Sequence, residues 1–384
     1  MIENSRRSFL MGGATLMGAT APLMFAQSHP KLKVAVVGTG HRAWILLYIM
    51  RQIPDIEVVA LADPTPKFLE QAVKSAGRDV RTYAAYDKLF AAEKDLDAAV
   101  VVTPGLLHAP VAIAAFERGL HVFCEKPMAT TIDDANRMIA AGKKAGKILQ
   151  LDLQMRYDPV YGRLHSLVKE GRIGTLQYAS GFLYRGDWNP ESWKTPDKNG
   201  NPTVWRLLRN WTGSSIIEDG IHELDVLHWT IDSRVARVYA SGGNNVYKGR
   251  ETIDHAIIAI DYVNGVKLQF GYSLFGLGRD EEMYLIGTEG ILKTEKGSII
   301  LQRKGSGPEK IEIHDFEQRT GGNPAGAPEN PSNLRSITSL VEAVQKQTAP
   351  MNTGEVGKEA IKIGLLAQKS IDEGRPMAWT DLPA

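Results

Sequence analysis

Residues 33–43 read Lys33-Val34-Ala35-Val36-Val37-Gly38-Thr39-Gly40-His41-Arg42-Ala43, a β-branched run that turns through two glycines into the start of a helix. Such a turn leaves the first helical N–H groups facing an open space, and the glycines let the backbone come close to a pyrophosphate. The next β-branched run, Glu57 to Asp63, ends on an acid twenty residues after Ala43. A carboxylate there can accept both hydroxyls of a ribose. Gly38, Gly40, His41, Arg42, Ala43 and Asp63 are therefore expected to bind a dinucleotide. Asp63 favours NAD over NADP, because it would repel a 2′-phosphate and Pro64 and Thr65 supply no cation. Lys67 is the nearby exception.

Outward from this stretch, the runs Ala98 to Thr103 and His121 to Cys124 alternate with helical spacing over Trp44 to Ile53, Pro66 to Ala76, Ala109 to Arg118 and Thr131 to Gly146. This alternation predicts an α/β Rossmann domain, a doubly wound parallel sheet, over residues 31–150. From Leu151 the pattern changes. One helix, Pro159 to Lys169, precedes strand-like stretches at Leu176 to Tyr184, Ala236 to Ser241, His255 to Tyr262, Val266 to Ser273, Glu282 to Gly287 and Ile299 to Arg303. Asn264-Gly265 between two of them is a hairpin signal. Residues 151–384 thus predict an α+β domain with a mainly antiparallel sheet. A long loop is expected from Gly321 to Ser332, and closing helices over Leu334 to Gln345 and Val356 to Glu373.

The 384 residues carry 45 Lys and Arg against 44 Asp and Glu, a net +1, so no clustered cationic excess marks the chain for nucleic acid. The single cysteine, Cys124, excludes an internal disulfide and a multi-cysteine zinc site, and no metal is expected. Residues 1–30 read as a targeting segment. Ser5-Arg6-Arg7-Ser8-Phe9-Leu10 is a twin-arginine export signature, and the uncharged stretch Met11 to Ala26 is shorter than the roughly 20 residues that span a bilayer. An exported, periplasmic or extracytoplasmic protein is expected, with no transmembrane domain after the signal. Because that route carries folded proteins to places poor in free NAD, a tightly held cofactor is expected too.

Thr103-Pro104 and Glu125-Lys126-Pro127 close the third and fourth runs, where the ligand crevice of an open α/β sheet lies. A lysine there, partly removed from water, suits proton exchange with a substrate hydroxyl. The run Val101 to Pro127, the triplet Met155-Arg156-Tyr157 and the stretch Glu218 to Asp225 together resemble the Gfo/Idh/MocA family, which includes glucose-fructose oxidoreductase and inositol dehydrogenase. The resemblance implies oxidation of sugars or cyclitols by a nicotinamide cofactor, with Lys126 in proton transfer and a homo-oligomer built on the open sheet. It adds Thr103, Pro104, His108, Glu125 and Lys126 to the cofactor side. The family's Asp-x-x-x-His pair, which binds and polarises substrate hydroxyls, becomes Glu218 and His222 here. The carboxylate has a longer arm, Asp219 lies one step further on, and Gly105 stands where many relatives carry a polar residue.

Arg156, Tyr157, Trp188, Asp219 and His222 are the expected substrate contacts. Five tryptophans fall between Trp188 and Trp229, and flat rings beside hydrogen-bonding groups suit sugars. Trp188 and Trp193 are the platform candidates, whereas Trp229 has the spacing of a core residue. The expected activity is NAD-dependent oxidation of a sugar, cyclitol or glycoside secondary alcohol. The competing reading is an NAD-dependent glycoside hydrolase, lyase or epimerase that oxidises its substrate only transiently. Lys126 with Glu218 and His222 argues against a binding protein without catalysis.

Overall fold

The computed structural model describes residues 30–187, 195–196, 202–313 and 331–384. Arg6, Arg7, Trp188 and Trp193 lie outside them. Strands β1 (Leu32–Val37), β2 (Ile56–Ala62), β3 (Arg81–Tyr83), β4 (Ala98–Val101), β5 (His121–Cys124) and β6 (Leu149–Leu151) pair in parallel in the order β3-β2-β1-β4-β5-β6. Helices α1 (His41–Met50), α2 (Pro66–Ala76), α3 (Tyr86–Ala92), α4 (His108–Glu117) and α5 (Ile132–Ala145) make the crossovers. Their ends follow local chemistry: Pro66 opens α2 at its first turn, Thr131 Oγ1 caps α5 by accepting the Asp134 N–H at 3.1 Å, and Gly77 and Gly146 close the same two helices in the left-handed conformation. The chain leaves β1 toward β2 on one side and β4 pairs on the other, so the order reverses at β1. In sheets of this order the ligand crevice lies there, beyond the strands' C-terminal ends.

After α6 (Pro159–Lys169) and β7 (Leu176–Arg185) come the two-residue strands β8 (Thr195–Pro196) and β9 (Pro202–Thr203). Three helices follow: α7 (Arg209–Thr212), α8 (Ser215–Glu218) and α9 (Ile221–Ile231). Strands β10 (Val235–Gly243), β11 (His255–Tyr262), β12 (Lys267–Ser273), β13 (Arg279–Gly287), β14 (Gly290–Glu295), β15 (Ser298–Arg303) and β16 (Pro308–Glu312) complete a large sheet with β7. Helices α10 (Pro331–Lys346) and α11 (Gly354–Glu373) precede a last short strand, β17 (Met377–Ala378). The second sheet runs β16-β15-β14-β13-β7-β12-β11-β10-β17, antiparallel throughout except where β7 lies parallel to β12. Along β11, Ala256, Ile258, Ile260 and Tyr262 point into the core while His255, Ile257, Ala259 and Asp261 face outward, the period-2 alternation of a half-buried sheet.

The closing helices return to the first half. Ile337, Leu340 and Val341 of α10 pack with α1 and β1, while α11 places Ala360 and Ile361 in the core against α5 and Ile363, Leu366 and Ala367 in the core of the second sheet. Pro331 opens α10 three residues before the expected start, which places Ser332, expected in a loop, inside a helix. Most of that expected loop, residues 321–330, lies outside the described residues. The short strands β3 and β6 were not anticipated, since three residues carry no readable period.

His121, at the start of β5, accepts the Ile148 N–H through Nδ1 at 3.1 Å. Burial, helped by the Lys147 charge, lowers its pKa from 6.5 to about 4. A protonated ring cannot accept that bond, so below pH 6.5 the unfolded chain binds a proton that the folded one refuses. Stability contributed by His121 is therefore complete above pH 6.5 and falls as the pH drops toward 4. Urea midpoints measured across that range should decline, and the decline should be shallower in His121→Asn; equal slopes would contradict this account.

Candidate active site

Gly38 has φ +87°, and a Cβ built on it would lie 2.6 Å from the Thr103 nitrogen and the Val102 carbonyl carbon. Glycine is needed there because the loop lies directly against the end of β4. Gly40 differs: a Cβ on it would meet no atom of the described residues within 4 Å, and it caps α1 with no side-chain hydrogen bond. The first turn of α1 holds no acid. It thus presents backbone N–H groups to an open space, as a pyrophosphate requires. Asp63 Oδ2 accepts the Thr39 N–H at 2.8 Å and Oδ1 accepts that of Thr65 at 2.8 Å. Burial pushes its carboxyl up, and these bonds pull it part of the way back. Thr103 Oγ1 is buried at the end of β4 with no hydrogen-bond partner among the described residues. These features fit a nicotinamide dinucleotide, which Gly38, Thr39, Gly40 and Asp63 would hold. Ala43 is fully buried and packs α1 on the sheet. Burial lowers the His41 pKa, with the positive charges of Arg206 and Arg42 adding to it.

Beyond β5, the Glu125 carboxylate is buried, and its Oε2 accepts the Lys126 backbone N–H at 2.9 Å. Arg42, expected at the cofactor, turns its guanidinium inward to Glu125 and to Asp152 at 2.6 Å. His108, also expected there, is buried with Nδ1 2.7 Å from the Pro127 carbonyl and Nε2 2.7 Å from the Thr103 carbonyl. It ties together the two loops that form the crevice lip, Thr103-Pro104 and Glu125-Lys126-Pro127. Burial lowers its pKa, so a neutral ring donates to one of the two carbonyls. Gly105 is buried against Pro127, where a Cβ would lie 3.3 Å from Cγ.

The second half brings α8 and α9 over this lip. Lys126 Nζ donates to the Glu218 carbonyl oxygen and lies 3.7 Å from Glu218 Oε1. The same Oε1 pairs with Arg206 at 2.9 Å, and Glu218 is almost fully buried. His222 sits half-buried on the first turn of α9, four residues on. Asp219 Oδ1 accepts from Arg185 at 2.9 Å, while its Oδ2 is buried with no hydrogen-bond partner among the described residues. Next to it Glu223 pairs with Arg279 at 2.6 Å, and burial pushes the Glu223 carboxyl up to about 8. Arg206 was not anticipated: it lies in a short turn, Trp205–Leu207, and nothing in its spacing points to Glu218.

Two expected substrate contacts are directed elsewhere. Arg156 makes a buried two-pronged pair with Asp225, both bonds 2.7 Å, and lies 5.3 Å from the Trp229 ring centroid. The Tyr157 hydroxyl bonds Ser339 Oγ of α10 at 2.8 Å. Both side chains are spent on packing α6, α9 and α10 rather than on the crevice. Trp229, half-buried on α9, stacks on His165 with ring centroids 3.8 Å apart. Among the described residues, no group of three His, Cys, Asp or Glu could hold a metal ion, and no helix is long and apolar enough to cross a membrane.

Comparison with known proteins places both halves. The model of the oxidoreductase family with an NAD-binding Rossmann fold, GFO_IDH_MocA, matches residues 32–153, and the GFO/IDH/MocA C-terminal domain matches residues 161–293. An uncharacterized oxidoreductase of Bacillus subtilis, YrbE, is 24% identical over 91% of this chain and 96% of its own. Inositol 2-dehydrogenase of Salmonella typhimurium is 27% identical over 63% of this chain and 68% of its own. Among solved structures, an oxidoreductase from Agrobacterium radiobacter in complex with NAD+, L-tartaric acid and magnesium superposes with a TM-score of 0.76 over 91% of this chain and 99% of its own, at 19% identity.

The two glycines should separate in mutagenesis. Gly38→Ala should lower folding stability by about 2 kcal/mol or more, from its positive φ and the backbone overlap. Gly40→Ala should leave the urea midpoint within experimental scatter yet weaken NAD binding about tenfold or more, because its methyl group enters the space left for the pyrophosphate. Fluorescence titration of NADH beside urea melts reads both, and equal effects of the two substitutions on stability would refute the distinction.

Proposed function

The chain belongs to the Gfo/Idh/MocA family of NAD-binding oxidoreductases, and from that premise we propose that it oxidises a secondary alcohol of a sugar, cyclitol or glycoside, with NAD as the preferred and tightly held acceptor. The observation that carries the proposal is the meeting of Lys126, from the end of β5, with Glu218, from the end of α8, at 3.7 Å. Two chemical groups far apart in sequence converge beside the nucleotide crevice. Hydride acceptance is the chemistry that the nicotinamide supplies when bound; the rest falls to side chains. Lys126 takes the hydroxyl proton at Nζ. Glu218, gripped by Arg206, orients that nitrogen, which must be a neutral amine to accept the proton and becomes the ammonium on transfer, and His222 and Asp219 hold neighbouring hydroxyls. The glutamate's extra methylene is taken up by its bond to Arg206, so the longer arm is fixed rather than loose.

The choice of NAD is supported by Asp63, by the absence of a cation at Pro64 and Thr65, and by Arg42, whose guanidinium is committed to Glu125 and Asp152 and so is not offered to a 2′-phosphate. Relatives named for inositol and 1,5-anhydro-D-fructose support the substrate class. Export through the Arg6-Arg7 signal belongs to the same reading and rests on the sequence alone. A second copy of the chain is the expected partner, since Tyr239 and Ile257 are exposed on the outer face of the second sheet.

Purified protein incubated with a panel of sugars, cyclitols and glycosides should accumulate NADH with an oxidised product; turnover with no net NADH would instead establish transient oxidation. Lys126→Ala should lower kcat about a hundredfold or more while NADH affinity stays close to the unmutated value. Glu218→Gln and His222→Ala should each lower kcat/KM more than about tenfold, with Asp219→Asn milder. NAD should bind more tightly than NADP, and Asp63→Ala should narrow the gap. Normal turnover in Lys126→Ala would remove the proton-transfer role.

A further inference from the structure

Arg42 stands among four oxygen acceptors from three separate stretches of chain. Its Nε donates to Glu125 Oε1, and its Nη2 meets Asp152 Oδ2 at 2.6 Å, Gln154 Oε1, and Asn333 Oδ1 of α10 at 2.8 Å. Asp152 is fully buried and also accepts Ser336 Oγ at 2.8 Å. The Glu125 carboxylate faces two ways, with Oε1 on Arg42 and Oε2 on the Lys126 N–H. Burial and the neighbouring Glu125 charge push Asp152 up to about 7. Burial alone would raise Glu125 as well, but the charges of Arg42 and Lys126 outweigh it and hold that carboxyl below its ordinary range. Glu125, the member held more firmly in its charged form, is the one that touches the Lys126 backbone.

A buried ion pair adds little net stability compared with apolar packing, so its value here lies in geometry, and a planar guanidinium fixes several acceptors at once. We propose that Arg42 is a positioning residue for Lys126. Acting through the Glu125 carboxylate, it sets the Glu125–Lys126 peptide against the first turn of α1, so the nucleotide loop and the lysine form one rigid piece. Asn333 extends that piece to α10. The inference rests on the reading that Lys126 transfers the hydroxyl proton, but the coupling itself can be read without substrate.

The test is a double-mutant cycle on the full chain. Arg42→Met, Glu125→Gln and the double variant are compared by the rate at which trinitrobenzenesulfonate modifies Lys126, followed by peptide mass spectrometry, and by kcat and KM for an oxidised sugar. Each single variant should raise the modification rate about threefold or more and lower kcat about tenfold or more, with sugar KM within about twofold. The double variant should be no worse than either single one, and Arg42→Lys should recover part of the kcat. If Arg42→Met does not fold, Asn333→Ala, which removes one neutral acceptor, is read the same way and should raise the Lys126 modification rate. An unchanged rate in the variant that folds, or additive effects in the double variant, would overturn the proposal. A chain that oxidises no sugar of the panel defeats the proposed function, while the modification rates still decide the coupling.

Discussion

Helix α11 belongs to two hydrophobic cores at once, and the position of Glu218 beside Lys126 depends on it. Ile361 is buried against the nucleotide-binding sheet, and Ile363 and Leu366 against the second sheet, each burial stabilising the fold by about 1.5–3 kcal/mol. The helix can lie this close because of Gly364: a Cβ there would stand 2.2 Å from Ile217 Cγ2. Ile217 is the residue before Glu218. Helical glycine costs roughly 0.5–1 kcal/mol relative to alanine, and the close approach it permits offsets that by seating α8 over the crevice. Packing deep in the molecule thus fixes the carboxylate to within the reach of a lysine from the other sheet.

Charge is arranged around that contact in alternation. Glu218 pairs with Arg206, Asp219 with Arg185, and Glu223 with Arg279. Each carboxylate on this short stretch has its own guanidinium, which holds it in place and limits repulsion among acids only a few residues apart. The nucleotide side has the opposite economy, since one arginine, Arg42, serves both Glu125 and Asp152.

What could be read from the sequence was what is local. The strand, glycine turn and helix at residues 33–43 show themselves by periodicity, and Asp63 by its distance from them; the Asn264-Gly265 hairpin and the α5 cap are likewise written in adjacent residues. Lys126, Glu218 and His222 could be named because each sits in a short motif. Where a long side chain points is not local. Arg156 and Tyr157 look like site residues in the triplet that carries them, yet Asp225 and Ser339, contributed by α9 and α10, draw them inward. Arg206 had no motif at all, and Arg42 stood in the right motif with its charge aimed the other way. Strands β3 and β6 were missed for a different reason: three residues are too few for alternation to show.

The return of α10 and α11 to the first sheet has a consequence for how the chain acquires its structure. Both faces of the nucleotide-binding sheet stay partly bare until α10 and α11 have left the ribosome, because Ile337, Leu340 and Val341 cover one face and Ala360 and Ile361 the other. These are contacts of high sequence separation, so the entropy of closing a very long loop is paid before they form. The half that reads most clearly as an independent domain is therefore completed only after most of the second sheet has been made, and a nascent chain stopped short of α10 would display an apolar, half-built sheet to the chaperones that meet it.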